Sequence, residues 1–204
     1  MKEPIRKITH KDGSTRYRLV VDIGVNAEGK RKQLTRTFKT KKEALAELSR
    51  IRHELSTGTF VAPSKMTLND LLDIWLKSAT RDVEEGTASN YQSAMVPVRV
   101  HSGDKELQNL TEEDIEALVD WMLTSGRRRG GQPGTGLGVR AVRLALGRLR
   151  AALNLAVRRG LVTRNVAQHV TISREAKRKA EAAKPKSIPW DETEVKIFLE
   201  AIKG

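Results

Sequence analysis

Apolar and polar residues alternate near the start of the chain and recur at helical spacing further along it. The alternation is clearest over Thr15–Ile23, where one side of a predicted strand carries Tyr17, Leu19, Val21 and Ile23. Ile5–Thr9 and Arg31–Phe38 are predicted as further strands. Asp12-Gly13 and the sequence VNAEGKR are predicted as the connecting turns. The pattern predicts a three-stranded antiparallel sheet.

A helix is predicted directly after the third strand. Thr40 and Glu43 have the spacing of a capping box. The predicted apolar stripe of this helix is Ala44, Leu48, Ile51 and Leu55. One helix covers only one face of a sheet, so the other face is predicted to stay exposed. That exposed face carries Arg16, Arg18, Arg31, Gln33 and Thr35.

The middle of the chain is predicted to form a helical bundle. Thr67 and Thr111 each precede an acidic residue by three positions and are predicted to begin helices. The sequence GTASNYQSAMVPV predicts another helix, with a break at Pro97. The residues predicted to face inward are Leu68, Leu71, Leu72, Trp75, Tyr91, Met95, Ile115, Leu118, Val119 and Met122.

The longest predicted helix, Val139–Arg159, follows a Gly/Arg loop that contains Arg127 and Arg128. Its apolar face is predicted to carry Val142, Leu146, Leu149, Leu153 and Ala156. The opposite sector carries Arg140, Arg143, Arg150 and Arg158, with Gly147 and Asn154 between them. Small side chains between arginines suit contact with a phosphate ridge, whereas a solvated basic face is the alternative. We favour contact because no glutamate compensates these arginines.

Charge is unevenly distributed along the 204 residues, whose formal net charge is +13. Residues 1–65 carry +9, residues 66–125 carry −8 and residues 126–204 carry +12. Two basic blocks around an acidic one favour binding to a polyanion. Nucleic acid is the leading candidate and a membrane surface the weaker one. Arg127 and Arg128 of the Gly/Arg loop are then further candidates for DNA binding. The basic sheet face is either an ordinary solvated surface or a surface that enters the DNA major groove.

Other function classes are disfavoured by composition. The chain has no cysteine and four scattered histidines, so we expect no metal site and no cofactor. No apolar run is long enough to cross a bilayer and no secretory signal is evident, which predicts a soluble intracellular protein. Aromatic residues make up 4% of the chain, too few to favour stacking on single-stranded RNA.

The last part of the sequence contains a basic linker followed by a helix start. Residues 174–187, REAKRKAEAAKPKS, suit either a helical or extended strap or a disordered tether. Asp191 and Glu194 then form a capping box. The apolar face predicted for this last helix carries Val195, Phe198, Leu199 and Ile202.

Taken in order, several motifs together resemble the amino-terminal part of an actinobacterial phage-type integrase of the tyrosine recombinase family. They are DGSTRYRLVVDIG, EGKRKQLTRTFKTKKEALAEL, GTFVAPSKMTLNDLLDIWL, GTASNY, LQNLTEEDIEALV, GRRRGGQPGTG, VRLALGRLRAALNLAVRRGLVTRNVAQHV and PWDETEVKIFLEAI. Two departures are Gly138 before the long helix, where a better capping residue is usual, and Val166, where proline is common. The resemblance covers nearly the whole chain.

The resemblance implies a domain plan. Residues 1–60 would be an α+β arm-type DNA-binding domain, residues 65–172 an all-α core-binding domain, and residues 173–187 a basic linker. Residues 188–204 would be the first helix of a catalytic domain whose tyrosine nucleophile lies beyond Gly204. Tyr17 and Tyr91 would not take that role, so this chain alone would not be an enzyme.

The resemblance also implies partners. They are double-stranded DNA with arm-type and core-type attachment sites, further copies of the recombinase on DNA, and an accessory DNA-bending or directionality protein. The expected location is the bacterial cytoplasm, at the nucleoid. Two alternatives stay open: a non-catalytic DNA- or RNA-binding regulator built from the same modules, and a helical interaction protein with a basic surface.

Overall fold

The computed structural model describes residues 4–9, 14–25, 30–128, 132–182 and 190–202. Strands β1 (Ile5–Thr9), β2 (Thr15–Val25) and β3 (Arg31–Phe38) form an antiparallel sheet in the order β1-β2-β3. The helices are α1 (Lys41–Ser56), α2 (Leu68–Ala79), α3 (Glu85–Ser102), α4 (Glu112–Thr124), α5 (Val139–Arg158), α6 (Arg174–Ala182) and α7 (Glu192–Ala201), with a short 3-10 helix at Leu107–Asn109. The predicted fold, a sheet with one helix followed by a helical domain, is confirmed. The predicted turn at Asp12-Gly13 and most of VNAEGKR lie outside the described residues.

Helix α1 covers one face of the sheet. Leu19 and Val21 of β2 pack against Leu48 and Ile51 of α1, and all four side chains are buried. Leu55, predicted to continue this stripe, is 37% exposed, so that prediction is wrong. It lies in the last turn, one residue before α1 ends at Ser56.

An ion network joins α1 to the sheet. Glu47 Oε1 lies 2.5 Å from Arg36 Nη1 of β3 and 2.7 Å from Arg50 Nη2 of α1. Only 14% of the Glu47 side chain is exposed. Its hydrogen bond to Arg50, supported by the charges of Arg50 and Arg36, holds the pKa of Glu47 below its ordinary value. Arg36 therefore lies on the side of the sheet that α1 covers.

Strand β2 extends two residues further than the predicted Thr15–Ile23. A β-bulge between Asp22 and Val25 shifts the register, so that Arg31 pairs with Val25. Gly24 lies within the bulge at φ 107°, a conformation that glycine adopts readily. The alternation of β2 is interrupted there, which is why the sequence pattern ended the strand too early.

Capping boxes begin α2 and α4 as predicted. The Thr67 side chain accepts from the backbone N–H of Asp70, and the Asp70 carboxylate accepts from the backbone N–H of Thr67. Thr111 and Asp114 repeat the arrangement at α4. Most of the apolar positions predicted from periodicity are buried, namely Leu68, Leu71, Leu72, Trp75, Met95, Ile115, Leu118, Val119, Met122, Val142, Leu146, Leu149, Leu153 and Ala156. Tyr91, also predicted to face inward, is half-buried.

The predicted helix break at Pro97 is wrong. Helix α3 continues through Pro97 and ends at Ser102. An interior proline costs a helix about 3 kcal/mol because it removes one donor and clashes with the preceding turn. Met95 and Val98 are fully buried on either side of it, and burial of two such side chains offsets a cost of that size.

Residues 172–204 form a separate compact unit from residues 1–171. Residues 174–182 of the linker are helical, and Ser173 accepts a hydrogen bond from the Ala176 amide at the start of α6. The capping box predicted for Asp191 and Glu194 is present at the start of α7. None of the residues of α7 is buried.

Candidate nucleic-acid interface

The face of the sheet opposite α1 is cationic. Paired residues of antiparallel strands point to the same side, so the register assigns each residue to a face. Arg18 is opposite Thr37, Val20 is opposite Thr35, and both strands turn these residues away from the buried Leu19 and Val21. All five residues predicted for this face lie on it, namely Arg16, Arg18, Arg31, Gln33 and Thr35. We call this surface the sheet face.

Sequence reasoning missed two polar residues of the sheet face. Arg6 of β1 pairs with Arg18, and Thr37 of β3 flanks Arg18 on its other side. Both are exposed. The apolar residues of β1, Ile5 and Ile8, differ by three positions and point to opposite faces, so the alternation of β1 alone could not assign Arg6. Alternation of β3 from Gln33 and Thr35 would have found Thr37.

Arg31 lies at the edge of the sheet face beside the bulge. Its Nε is 3.1 Å from Asp22 Oδ2, and the other oxygen of Asp22 accepts from the Gly24 amide at 3.3 Å. The Arg31 side chain is 79% exposed. The apolar members of the face, Val20 and Ile8, are half-buried among the polar groups. The sheet face thus combines guanidinium, amide, hydroxyl and methyl groups, which are the groups that read base edges in the major groove.

Helix α5 presents a second cationic surface. Arg140, Arg143 and Arg158 are exposed on the side opposite the buried apolar stripe. Gly147 lies between them, and a Cβ built there would meet nothing within 4 Å. Asn154 shares this side and accepts a hydrogen bond from Asn165 through Oδ1 at 2.8 Å. We call the surface of Arg140, Arg143, Gly147 and Arg158 the α5 face.

Arg150 lies in the same sector of α5 but is half-buried, because its guanidinium contacts the segment that follows the helix, and its contact with DNA stays a prediction. Its Nε donates to the Ala167 carbonyl at 2.8 Å and its Nη2 donates to the Val170 carbonyl. Asn165 adds a bond from Nδ2 to the Arg150 carbonyl at 3.0 Å. The segment after α5 folds back along the helix, and Arg150 satisfies carbonyl groups that burial of Ala167 and Val170 removes from water.

The two predicted loop arginines make intramolecular contacts. Arg127 Nε donates to Thr135 Oγ1 at 3.1 Å and Arg127 Nη2 to the Gly136 carbonyl at 3.0 Å, which closes the loop on itself. The Arg128 guanidinium lies 4.9 Å from the Trp121 ring centroid, and its Nη1 donates to the Ser125 carbonyl at 3.0 Å. DNA contact by Arg127 and Arg128 stays a prediction.

Arg148 is the arginine of α5 that the sequence analysis did not single out. The Arg148 guanidinium lies 4.3 Å from the centroid of the Tyr91 ring, and that ring stacks on Trp75 at 5.9 Å. This stack joins α5 to α3 and α2, so Arg148 contributes to packing within the bundle.

Within the described ranges no group of three or more His, Asp or Glu side chains could hold a metal ion. In the same part of the chain, no helix is both long and apolar enough to cross a bilayer.

Comparisons with known proteins give two adjacent family matches. Residues 4–55 match the model of an arm DNA-binding domain, and residues 67–172 match the model of a phage integrase SAM-like domain. The two matches correspond to the sheet with α1 and to the helical bundle. No curated protein sequence matches the chain.

Matches among solved structures include integrase chains. An integrase-like domain from Bacillus cereus is 21% identical, with a TM-score of 0.46 over 56% of this chain and 89% of that one. A lambda integrase dimer bound to a COC' core site is 20% identical, with a TM-score of 0.44. A lambda integrase tetramer bound to a Holliday junction gives the same identity and TM-score. Each lambda match covers 84% of this chain. This chain spans only 45% and 46% of the two lambda integrase chains.

The fold and the family matches define a DNA-binding pair of modules, an arm domain followed by an integrase SAM-like domain. The SAM-like match covers more than half of the chain, and the chain therefore belongs to the phage integrase family. These modules are those of the N-terminal part of a tyrosine recombinase.

Proposed function

We propose that the chain supplies the site-specific DNA binding of a tyrosine recombinase that inserts or excises mobile DNA. The observation that carries the proposal is the sheet face, an uncovered cationic surface in a domain that matches an arm DNA-binding model. Arg16, Arg18 and Arg31 would read base edges of an arm-type site, together with Gln33 and Thr35. Arg140, Arg143 and Arg158 of the α5 face would hold phosphates of a core-type site.

The division of labour follows from the chemistry of each surface. Side chains on a pleated face project in fixed register, which suits discrimination between base pairs. Arginines around a glycine on a helix suit close contact with a phosphate ridge, which carries no sequence information of its own. Strand cleavage would require a nucleophile and cationic transition-state partners that these modules would deliver to the crossover site. An arm-bound module would raise the effective concentration of the rest of the enzyme over a weak core site.

A binding titration tests the proposal. The chain is footprinted on candidate attachment-site duplexes, and its affinity is measured as salt rises from about 50 to about 200 mM. If six to ten phosphates are neutralised, affinity should fall by roughly 10³ to 10⁵ over that range. An affinity that depends little on salt would contradict binding through neutralisation of DNA phosphates. Tighter binding to single-stranded RNA than to duplex DNA would instead support a non-catalytic RNA-binding regulator.

Self-association on DNA, an accessory DNA-bending or directionality protein, and a location at the bacterial nucleoid stay predictions. Extension of the chain past Gly204 tests the enzymatic part of the proposal. An extended protein is expected to cleave an attachment site that the 204-residue chain binds without cutting.

A further inference from the structure

Asp22 is the acidic side chain among the described residues of the sheet face. It lies on β2 directly opposite Gln33 and faces the same side as Arg18 and Val20. Both of its carboxylate oxygens have partners. Oδ1 accepts from the Gly24 amide at 3.3 Å, and Oδ2 lies 3.1 Å from Arg31 Nε.

The β-bulge brings Asp22 and Arg31 together. One extra residue in β2 between Asp22 and Val25 shifts the pairing of Arg31 from Gly24 to Val25. The Gly24 amide, turned by a backbone φ of 107°, then fixes one oxygen of Asp22. The second oxygen lies 3.1 Å from Nε of the Arg31 guanidinium, a contact that leaves the two terminal nitrogens of the rigid fork as donors for a ligand.

Neither folding nor general attraction to DNA accounts for an acidic residue here. The Asp22 side chain is 44% exposed and that of Arg31 is 79% exposed, and an ion pair with such exposure adds little to folding stability. A negative charge on the sheet face also weakens the attraction of that face for phosphates. The bond from the Gly24 amide needs only an oxygen acceptor, which an asparagine would also supply. The carboxylate on Nε in addition restricts the directions in which the Arg31 guanidinium can donate.

We propose that Asp22 is a positioning residue, which orients Arg31 so that its terminal nitrogens donate to one base edge in the DNA major groove. The acceptor chemistry that fits a forked guanidinium is the O6 and N7 pair of guanine. The inference rests on the proposed function, because it concerns how the sheet face reads DNA.

The experiment starts from a randomised pool of DNA duplexes from which the wild-type chain selects its preferred sequence. Affinities are then measured for that duplex and for its single base-pair variants. Asp22→Asn should reduce discrimination at one base pair by about tenfold, the same base pair at which Arg31→Ala loses discrimination. The double variant should lose no more than Arg31→Ala alone. Affinity of Asp22→Asn for unrelated duplexes should stay equal or rise, because a negative charge has been removed.

Two controls separate orientation from charge and from folding. Glu54→Gln removes the same charge from α1, which covers the opposite side of the sheet, and should leave discrimination unchanged. Asp22→Glu keeps the carboxylate and should retain most of the discrimination. Unchanged unfolding midpoints of the variants confirm that the sheet domain is intact.

Three results would overturn the proposal and each has a distinct meaning. If Arg31→Ala loses discrimination and Asp22→Asn does not, Asp22 does not position Arg31, although the sheet face still reads DNA. If Glu54→Gln loses as much as Asp22→Asn, the effect is one of net charge. If the wild-type chain selects no sequence at all, the proposed function fails together with this inference.

Discussion

Arg143 and Arg150 stand seven positions apart on α5 and have different surroundings. Arg143 is exposed on the α5 face, whereas Arg150 donates to the carbonyls of Ala167 and Val170. We expect Arg150→Ala to lower the free energy of unfolding by about 1–3 kcal/mol, because it leaves buried carbonyls without a partner. Arg143→Ala should leave stability within about 0.5 kcal/mol of wild type and weaken duplex binding instead. Denaturant unfolding and DNA titration of both variants check this, and equal stabilities would contradict it.

Alternation along the strands assigned arginines to the sheet face more reliably than the helical sector assigned them to the α5 face. Arg16 and Arg18 alternate with buried residues of β2, and a period of two leaves no third direction. Arg150 lies at the border of its helical sector. Whether a border residue meets solvent or protein depends on the segment around Asn165, which folds back on α5. That return is a tertiary event, and nothing near Arg150 in the sequence indicates it.

Helix α5 has a glycine in its interior, where glycine lowers helix stability relative to alanine. No contact among the described residues requires a glycine at that position. Gly147 has no positive φ, and a Cβ there would meet open space. Gly147→Ala should therefore raise the free energy of unfolding by about 0.5–1 kcal/mol. If the α5 backbone approaches phosphates as proposed, the same substitution should weaken DNA binding. Thermal unfolding and DNA titration measure both effects, with Gly86→Ala in α3 as the control, because a Cβ there would also meet open space. A more stable variant with unchanged affinity would contradict a close approach of the α5 backbone to phosphates at Gly147.

Element boundaries were predictable wherever a local hydrogen-bonding device sets them. Thr40, Thr67, Thr111 and Asp191 each open a capping box in the structure, as their spacing to an acidic residue predicts. Pro97 shows the limit of local rules, because packing of Met95 and Val98 outweighs the missing helical donor. The bulge in β2 was also missed, because the sequence of two paired strands does not show that one of them contains an extra residue.

Across the whole molecule, positive charge lies in two sequence blocks and forms a surface in each module. The sheet face belongs to the domain that matches an arm DNA-binding model, and the α5 face belongs to the SAM-like domain. The acidic block between them includes α4, whose first turn carries Glu112, Glu113 and Asp114. Negative charge on α4 fits the expected macrodipole at a helix N-terminus and disfavours phosphate contact there. The two cationic surfaces are therefore the candidates for DNA, and they differ in what they can recognise.

The most direct test compares one arginine from each surface on the same two ligands. Affinities of wild type, Arg16→Ala and Arg143→Ala are measured for the selected duplex and for a scrambled duplex at one salt concentration. Arg52→Ala removes a positive charge from α1 outside both surfaces and serves as the control. We predict that Arg16→Ala lowers the ratio of the two affinities by about tenfold, whereas Arg143→Ala weakens both affinities by a similar factor and leaves the ratio unchanged. Equal behaviour of Arg16→Ala and Arg143→Ala in this measurement would contradict the division between a reading surface and a phosphate-binding surface.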